Sequence, residues 1–177
     1  MIRSATRTIL VPLALLLVAG PAAGQNSTSA LRGLDRNSPI DVAADRIELQ
    51  DRADRAVLSG NVEVKQGNME LEADRLTVAY TREGGTEIRR LDASGNVRLV
   101  SPSERARSQY AIYDLDRRLI TMIGNVVLMR GSSEVRGGRL VIDLASGRAT
   151  VDGSSVGGSK SSGGRVTGRF TVPSRGD

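Results

Sequence analysis

Carboxylates and hydroxyls are the main side chains left in this sequence for catalysis. It contains no cysteine and no histidine. That removes disulfides, thiol chemistry and thiolate metal sites, together with the commonest metal ligand and the commonest general base. A hydrolase built on it would need two carboxylates roughly 5–9 Å apart across a cleft, or a Ser/Lys arrangement. Neither is singled out, because the acids alternate with arginines along the chain. We therefore predict no catalytic residue, no metal site and no cofactor.

What the polar residues do have is spacing. Gly60-Asn61, Gly95-Asn96 and Gly124-Asn125 recur inside alternating runs, and a degenerate copy ends at Gly153. A second marker, Ala44-Asp45-Arg46 and Ala73-Asp74-Arg75, continues in weakened form at Gln109 and at Gly138-Arg139. The two keep one frame: 15 positions separate Asp45 from Gly60, Gln109 from Gly124 and Gly138 from Gly153. From Asp74 to Gly95 the distance is 21, and the extra residues fall around Glu83-Gly84-Gly85-Thr86, a turn sequence. Two markers holding one register establish an internal repeat of roughly 29 residues in about four copies.

The elements that carry these markers read as strands. Apolar residues alternate with polar ones at period two. Ile47 and Leu49 begin the series, followed by Leu58, Val62, Val64, Leu71, Leu76, Val78, Leu91, Val97, Leu99, Ile120, Met122, Val126, Leu128, Leu140 and Ile142. Alternate side chains of a strand share a face, so stacked copies present one apolar surface. The alternation runs in phase across each Gly-Asn, which predicts a bend or bulge there, not a hairpin. Hairpin turns are expected at Gln66-Gly67-Asn68, Asp114-Leu115-Asp116 and Ala145-Ser146-Gly147. Low helix content follows. The same stripe would also fill an ordinary β-sandwich. Tryptophan is absent and the repeats contain no phenylalanine, so the section is expected to close incompletely and leave room for a guest.

The ends read differently. Arg3 and Arg7, the apolar run from Ile9 to Ala19 and the small residues up to Gly24 form an export signal, residues 1–24, with Gln25 as the new N-terminus. The apolar run is about half of what a bilayer span requires. Residues 25–38 are expected to be a flexible leader, 39–153 the β domain, and 154–177 a Gly/Ser-rich basic tail without order. The formal net charge of +5 falls by two once Arg3 and Arg7 are removed. The four aromatic residues, Tyr80, Tyr110, Tyr113 and Phe170, are too few to stack single-stranded nucleic acid.

Three runs carry a family resemblance: Ser38-Pro39-Ile40-Asp41-Val42-Ala43-Ala44-Asp45, Leu58-Ser59-Gly60-Asn61-Val62-Glu63-Val64-Lys65-Gln66-Gly67 and Met69-Glu70-Leu71-Glu72-Ala73-Asp74-Arg75-Leu76. They resemble the LptA/OstA-like family of lipopolysaccharide transport, over about residues 38–153. The resemblance implies an all-β fold, an open, V-shaped antiparallel β-jellyroll. Its apolar trough would take the acyl chains of lipid A on the interior positions named above. It also implies periplasmic localisation, head-to-tail homo-oligomers, an LptC-like inner-membrane protein feeding one end and an LptD-like outer-membrane barrel receiving at the other. Such a trough is physically required, since each CH₂ left in water costs about 0.8 kcal/mol and a long acyl chain on the order of 10 kcal/mol.

Open sheets leave unpaired edges that other chains can join. We expect these in Ile40 to Leu49 and Leu140 to Val151, with Ile40, Val42, Ile47, Ile142 and Val151 as edge-assembly residues. Arg46, Arg75 and Arg98 are candidate contacts to phosphates and core sugars at the trough rim. The alternatives are a solid structural or adhesive β-repeat protein, a two-carboxylate hydrolase on a β-solenoid, and a membrane-tethered LptC-like member of the same pathway.

Overall fold

Period-two alternation produces strands throughout. The computed structural model describes residues 38–153 and 164–171. Ten strands follow in order: β1 (Ile40–Ala43), β2 (Arg46–Gln50), β3 (Arg55–Gln66), β4 (Met69–Thr81), β5 (Glu87–Val100), β6 (Glu104–Asp114), β7 (Leu119–Arg130), β8 (Ser133–Asp143), β9 (Arg148–Asp152) and β10 (Thr167–Arg169). The only helical element among the described residues is a 3₁₀ turn at Asp51–Ala53. All strands join one antiparallel sheet in which β3 to β8 form a meander. The expected turns close its hairpins at 67–68, 115–118 and 144–147.

Every second long strand carries the Gly-Asn marker and is folded there. β3, β5 and β7 run straight through it, and their ladders slip register between Ser59 and Val62, Ser94 and Val97, and Ile123 and Val126. Gly60, Gly95 and Gly124 have φ of +78°, +77° and +84°, and the asparagines that follow have φ of 45–49°. Both residue types tolerate this left-handed region, which explains the pair. Bulges are thus confirmed and the hairpin reading is excluded. The fourth copy does not form one: Gly153 follows the end of β9 with no left-handed φ.

The second marker turns out to be the partner of the first. Asp45 N–H donates to the Gly60 carbonyl (2.9 Å). Asn61 Nδ2 donates to Asp45 Oδ2 (3.0 Å) and Asn96 Nδ2 to Asp74 Oδ2 (2.9 Å). A Cβ on Gly60, Gly95 or Gly124 would collide with the side chain of Asp45, Asp74 or Gln109 respectively. The bulges line up into a crease, and the crease divides the sheet into two walls. The first wall holds β2, β9 and residues 55–59, 75–81, 87–94, 110–114, 119–123 and 139–143. The second holds β1, β10 and residues 62–66, 69–73, 97–100, 104–107, 126–130 and 133–137. One apolar cluster contains residues of both walls, so the inner faces meet and the section is a V.

The edges differ from expectation in two respects. At the N-terminal end, β1 and β2 lie end to end along β3, one on each wall. At the other end, β9 and β10 do the same along β8. Ile142 therefore belongs to an interior strand, paired with Ile120 and Ala149, and is not an edge residue; Val151 is, in β9. Part of the tail is also ordered, because Thr167–Arg169 supplies the strand that completes this edge on the second wall. The signal, most of the leader, residues 154–163 and residues 172–177 lie outside the described residues.

Candidate apolar groove

Pairing in register gives every inward residue an inward neighbour on the adjacent strand. On the first wall one such row is Leu58, Leu76, Ala93, Ala111, Met122 and Leu140. On the second, Val64, Leu71, Leu99, Ala106 and Leu128 form another. Fourteen of the predicted interior residues are buried in one core: Leu58, Val62, Val64, Leu71, Leu76, Val78, Leu91, Val97, Leu99, Ile120, Met122, Val126, Leu140 and Ile142. Leu128 packs against it, partly buried.

Ile47 and Leu49 share this face, opposite Leu58 and Ala56. They are nevertheless 50% and 70% exposed, because among the described residues no further strand continues the wall beyond β2. With Val42 of β1, opposite Val64, they form an apolar open end, not part of the enclosed lining.

Between the walls lies an apolar slot. Leu76, Leu91, Ala93, Ala111, Tyr113 and Ile120 line it from the first wall, and Ile40, Val64, Gln66, Met69, Leu71 and Leu99 from the second. Its free volume is about 20 Å³, enough for about one water. The inner faces of the two walls therefore lie close together across the slot. Tyr113 is also inside, 7% exposed. Its alternation with Ala111 is the signal that places it there, and its hydroxyl is what obscures that signal. Met69 and the small residues Ala56, Ala73, Ala93 and Ala106 complete the inner face by the same period.

The arginines expected at the rim stand elsewhere. Arg46 and Arg75 flank Ser59 on the outer face, near the crease, and Arg98 pairs across the outer face with Glu72 and Arg107. Arg46 lies 3.8 Å from Glu48 and Arg98 3.6 Å from Glu72. All three point away from the apolar lining and so cannot border it. Parity along the strand places them there, and a frame extended by one bulge is enough to read it.

A groove of this form has counterparts of known type. Residues 41–148 match the family described as LptA/(LptD N-terminal domain) LPS transport protein. The chain is 32% identical over 145 residues to an uncharacterized protein of Rhizobium meliloti (strain 1021), covering 77% of this chain and 78% of the relative. Its fold is similar to the crystal structure of LptH, the LptA homologous periplasmic component of the lipopolysaccharide transport device of Pseudomonas aeruginosa. There the TM-score is 0.69 at 19% identity, over 78% of this chain and 99% of that one. The open antiparallel sheet creased by repeated Gly-Asn bulges is an LptA-like β-jellyroll, and the chain belongs to the LptA/LptD N-terminal domain family of lipopolysaccharide transport proteins.

Proposed function

We propose that the groove carries lipopolysaccharide by its lipid A acyl chains, and that the chain, exported to the periplasm through a cleaved signal, bridges the inner and outer membranes. The observation that supports this most is the continuous apolar face that runs from the open end at Ile47 and Leu49 through the slot to Leu140 and Ile142. Among the described residues it has no catalytic constellation beside it and ends at both edges in strands with one side unpaired. The LptH comparison and the family description point the same way. An acyl chain entering the slot exchanges wall–wall packing for wall–lipid packing, so the apolar surface stays dry while the chain loses its cost in water, about 0.8 kcal/mol per CH₂.

The two edges give the carrier its continuity. β1 and β2 at one end, and β9 and β10 at the other, each offer backbone groups to a neighbouring strand. Head-to-tail copies, an LptC-like inner-membrane protein and an LptD-like outer-membrane barrel are the partners in this reading. Photo-crosslinkers placed at Leu58, Leu99 and Met122 should capture lipopolysaccharide, while Glu63 and Arg98, on the outer face, should not. Equal labelling at both sets, or none at the inner set, would reject the carrier and leave the solid β-repeat reading.

A further inference from the structure

The second wall has an outer face as well as an inner one, and charge divides it. Its outward residues alternate with the inward row of Val64, Leu71, Leu99, Ala106 and Leu128. The charged ones on β1, β3 and β4 are Asp41, Glu63, Glu70 and Glu72, together with Lys65. Those on β5 to β8 and β10 are Arg98, Arg105, Arg107, Arg136 and Arg169, together with Glu134.

Like charges stand side by side within each half: Glu63 is opposite Glu72, and Arg98 is opposite Arg107. Such cross-strand pairs are destabilising. Ion pairs relieve part of the repulsion, since Lys65 lies 3.9 Å from Glu70, Arg98 3.6 Å from Glu72 and Arg136 2.6 Å from Glu134. Arg105, Arg107 and Arg169 are exposed and form no ion pair among the described residues. The crease repeats the division. Glu63, Glu72, Asp74 and Arg98 border a recess of about 440 Å³ there. Farther along, where the repeat lapses at Gly138 and Gly153, a recess of about 530 Å³ is bordered by Arg136 and Arg165 and by no carboxylate.

A partner for this face has to be divided in charge as well. A uniformly anionic surface such as a lipid bilayer would attract the arginines and repel the acids beside them. A second copy turned about an axis along the strands presents its halves in reverse order, so acidic lies over basic and the same contact forms twice. We propose that this face pairs two copies of the chain back to back, Glu63, Glu70 and Glu72 of one copy against Arg105, Arg107 and Arg136 of the other. Met129, 42% exposed between Arg105 and Glu134, adds apolar contact. The eight strands of this wall, about 4.8 Å apart and about 15 Å tall, give on the order of 500 Å² per copy. The total of about 1,000 Å² is the low end for a specific interface, so the pairing is weak and sensitive to salt. It leaves the groove and both sheet edges free, and is therefore independent of the cargo and compatible with end-to-end stacking.

The test is sedimentation velocity of the full chain at low and high ionic strength. The unaltered chain should pair at low salt and dissociate at high salt. Arg105→Glu/Arg107→Glu makes both halves acidic, and Glu70→Arg/Glu72→Arg makes both basic. Each variant alone should self-associate at least about tenfold more weakly, and an equimolar mixture of the two should recover the affinity of the unaltered chain. End-to-end contacts are the same in every sample and cannot produce that recovery. Arg105→Gln/Arg107→Gln, which only removes charge, should weaken pairing in the same direction, and circular dichroism checks that every variant is folded. No salt-sensitive association of the unaltered chain, undiminished association of a folded variant, or a mixture no stronger than its components would overturn the pairing. Vesicles of phosphatidylglycerol should leave the chain unbound; flotation with them that the arginine variants lose would assign the face to a lipid surface instead.

Discussion

Gly95→Ala tests whether the crease is held by the contact between its two markers. Gly95 has φ +77°, where an L-residue pays about 1–2 kcal/mol. The new Cβ also collides with the carboxylate of Asp74. Moving that side chain away loses the Asn96–Asp74 hydrogen bond, worth about 1 kcal/mol. The sum is a destabilisation of about 2–3 kcal/mol, read as a shift of the denaturant midpoint at unchanged slope. Gly84→Ala is the control, since Gly84 has φ +80° but nothing near its virtual Cβ; it should cost only the backbone part. Asp74→Ala alone should cost about 1 kcal/mol, and adding it to Gly95→Ala should cost almost nothing more, because the colliding group and its bond are already gone. A double-mutant cycle that is strictly additive, or a Gly95→Ala variant no worse than Gly84→Ala, would refute the contact as the source of the repeat.

Leu99→Asp places a carboxylate at a position 2% exposed in the slot and should abolish lipid capture while lowering stability by several kcal/mol; Val64→Asp should do the same, as followed by crosslinking and denaturation. Leu49→Asp, on the same face but 70% exposed, should leave the folding free energy within about 0.5 kcal/mol of the parent and weaken end-to-end association in sedimentation. Asp143 accepts hydrogen bonds from the Ser146 hydroxyl and from the backbone N–H groups of Ser146 and Ala145, which hold its carboxyl below the ordinary value. A lowered folded-state pKa stabilises above the unfolded pKa, and that contribution is lost as pH falls through the folded one. Asp143→Asn should therefore melt earlier than the parent near pH 7, with the gap closing in strong acid.

Most of the sheet is legible in the sequence because its information is local. Alternation at period two names the face, and Gly-Asn in phase with it names the bulge, so the row from Leu58 to Leu140 follows from the pattern alone. What the sequence conceals is relational. The equal spacing of Asp45 with Gly60 and of Gln109 with Gly124 is visible, but not that the members touch across neighbouring strands. Burial at an edge is hidden for the same reason: Ile47 and Leu58 have identical patterns, and only the absence, among the described residues, of a strand beyond β2 exposes the first. The Glu104–Arg130 pair escapes notice because both residues interrupt the alternation of apolar residues, and such breaks read as strand ends. Arg46, Arg75 and Arg98 are rim candidates on charge alone; parity counted through the bulge puts them outside. Tail residues 167–169 carry no pattern longer than three positions, so their strand becomes visible only beside β8.

A slot with room for about one water and the proposed cargo of acyl chains are compatible because of the direction in which the hydrogen bonds run. Strands pass from lip to lip across the crease, and their ladders run along the groove. Parting the lips therefore bends each strand at its bulge and leaves the ladder within each wall intact. The ladders are already interrupted there, at the register slips beside Gly60, Gly95 and Gly124 and at the intervening slips between Glu72 and Arg75 and between Arg107 and Tyr110. At both edges the strand is broken outright, between β1 and β2 and between β9 and β10. Few backbone hydrogen bonds stand in the way of opening, and in the proposed carrier an acyl chain takes the place of the opposite wall against each apolar face. The left-handed Gly-Asn pairs place the interruptions of the ladders on one line, and in the proposed carrier that line is where the groove yields to be filled and emptied.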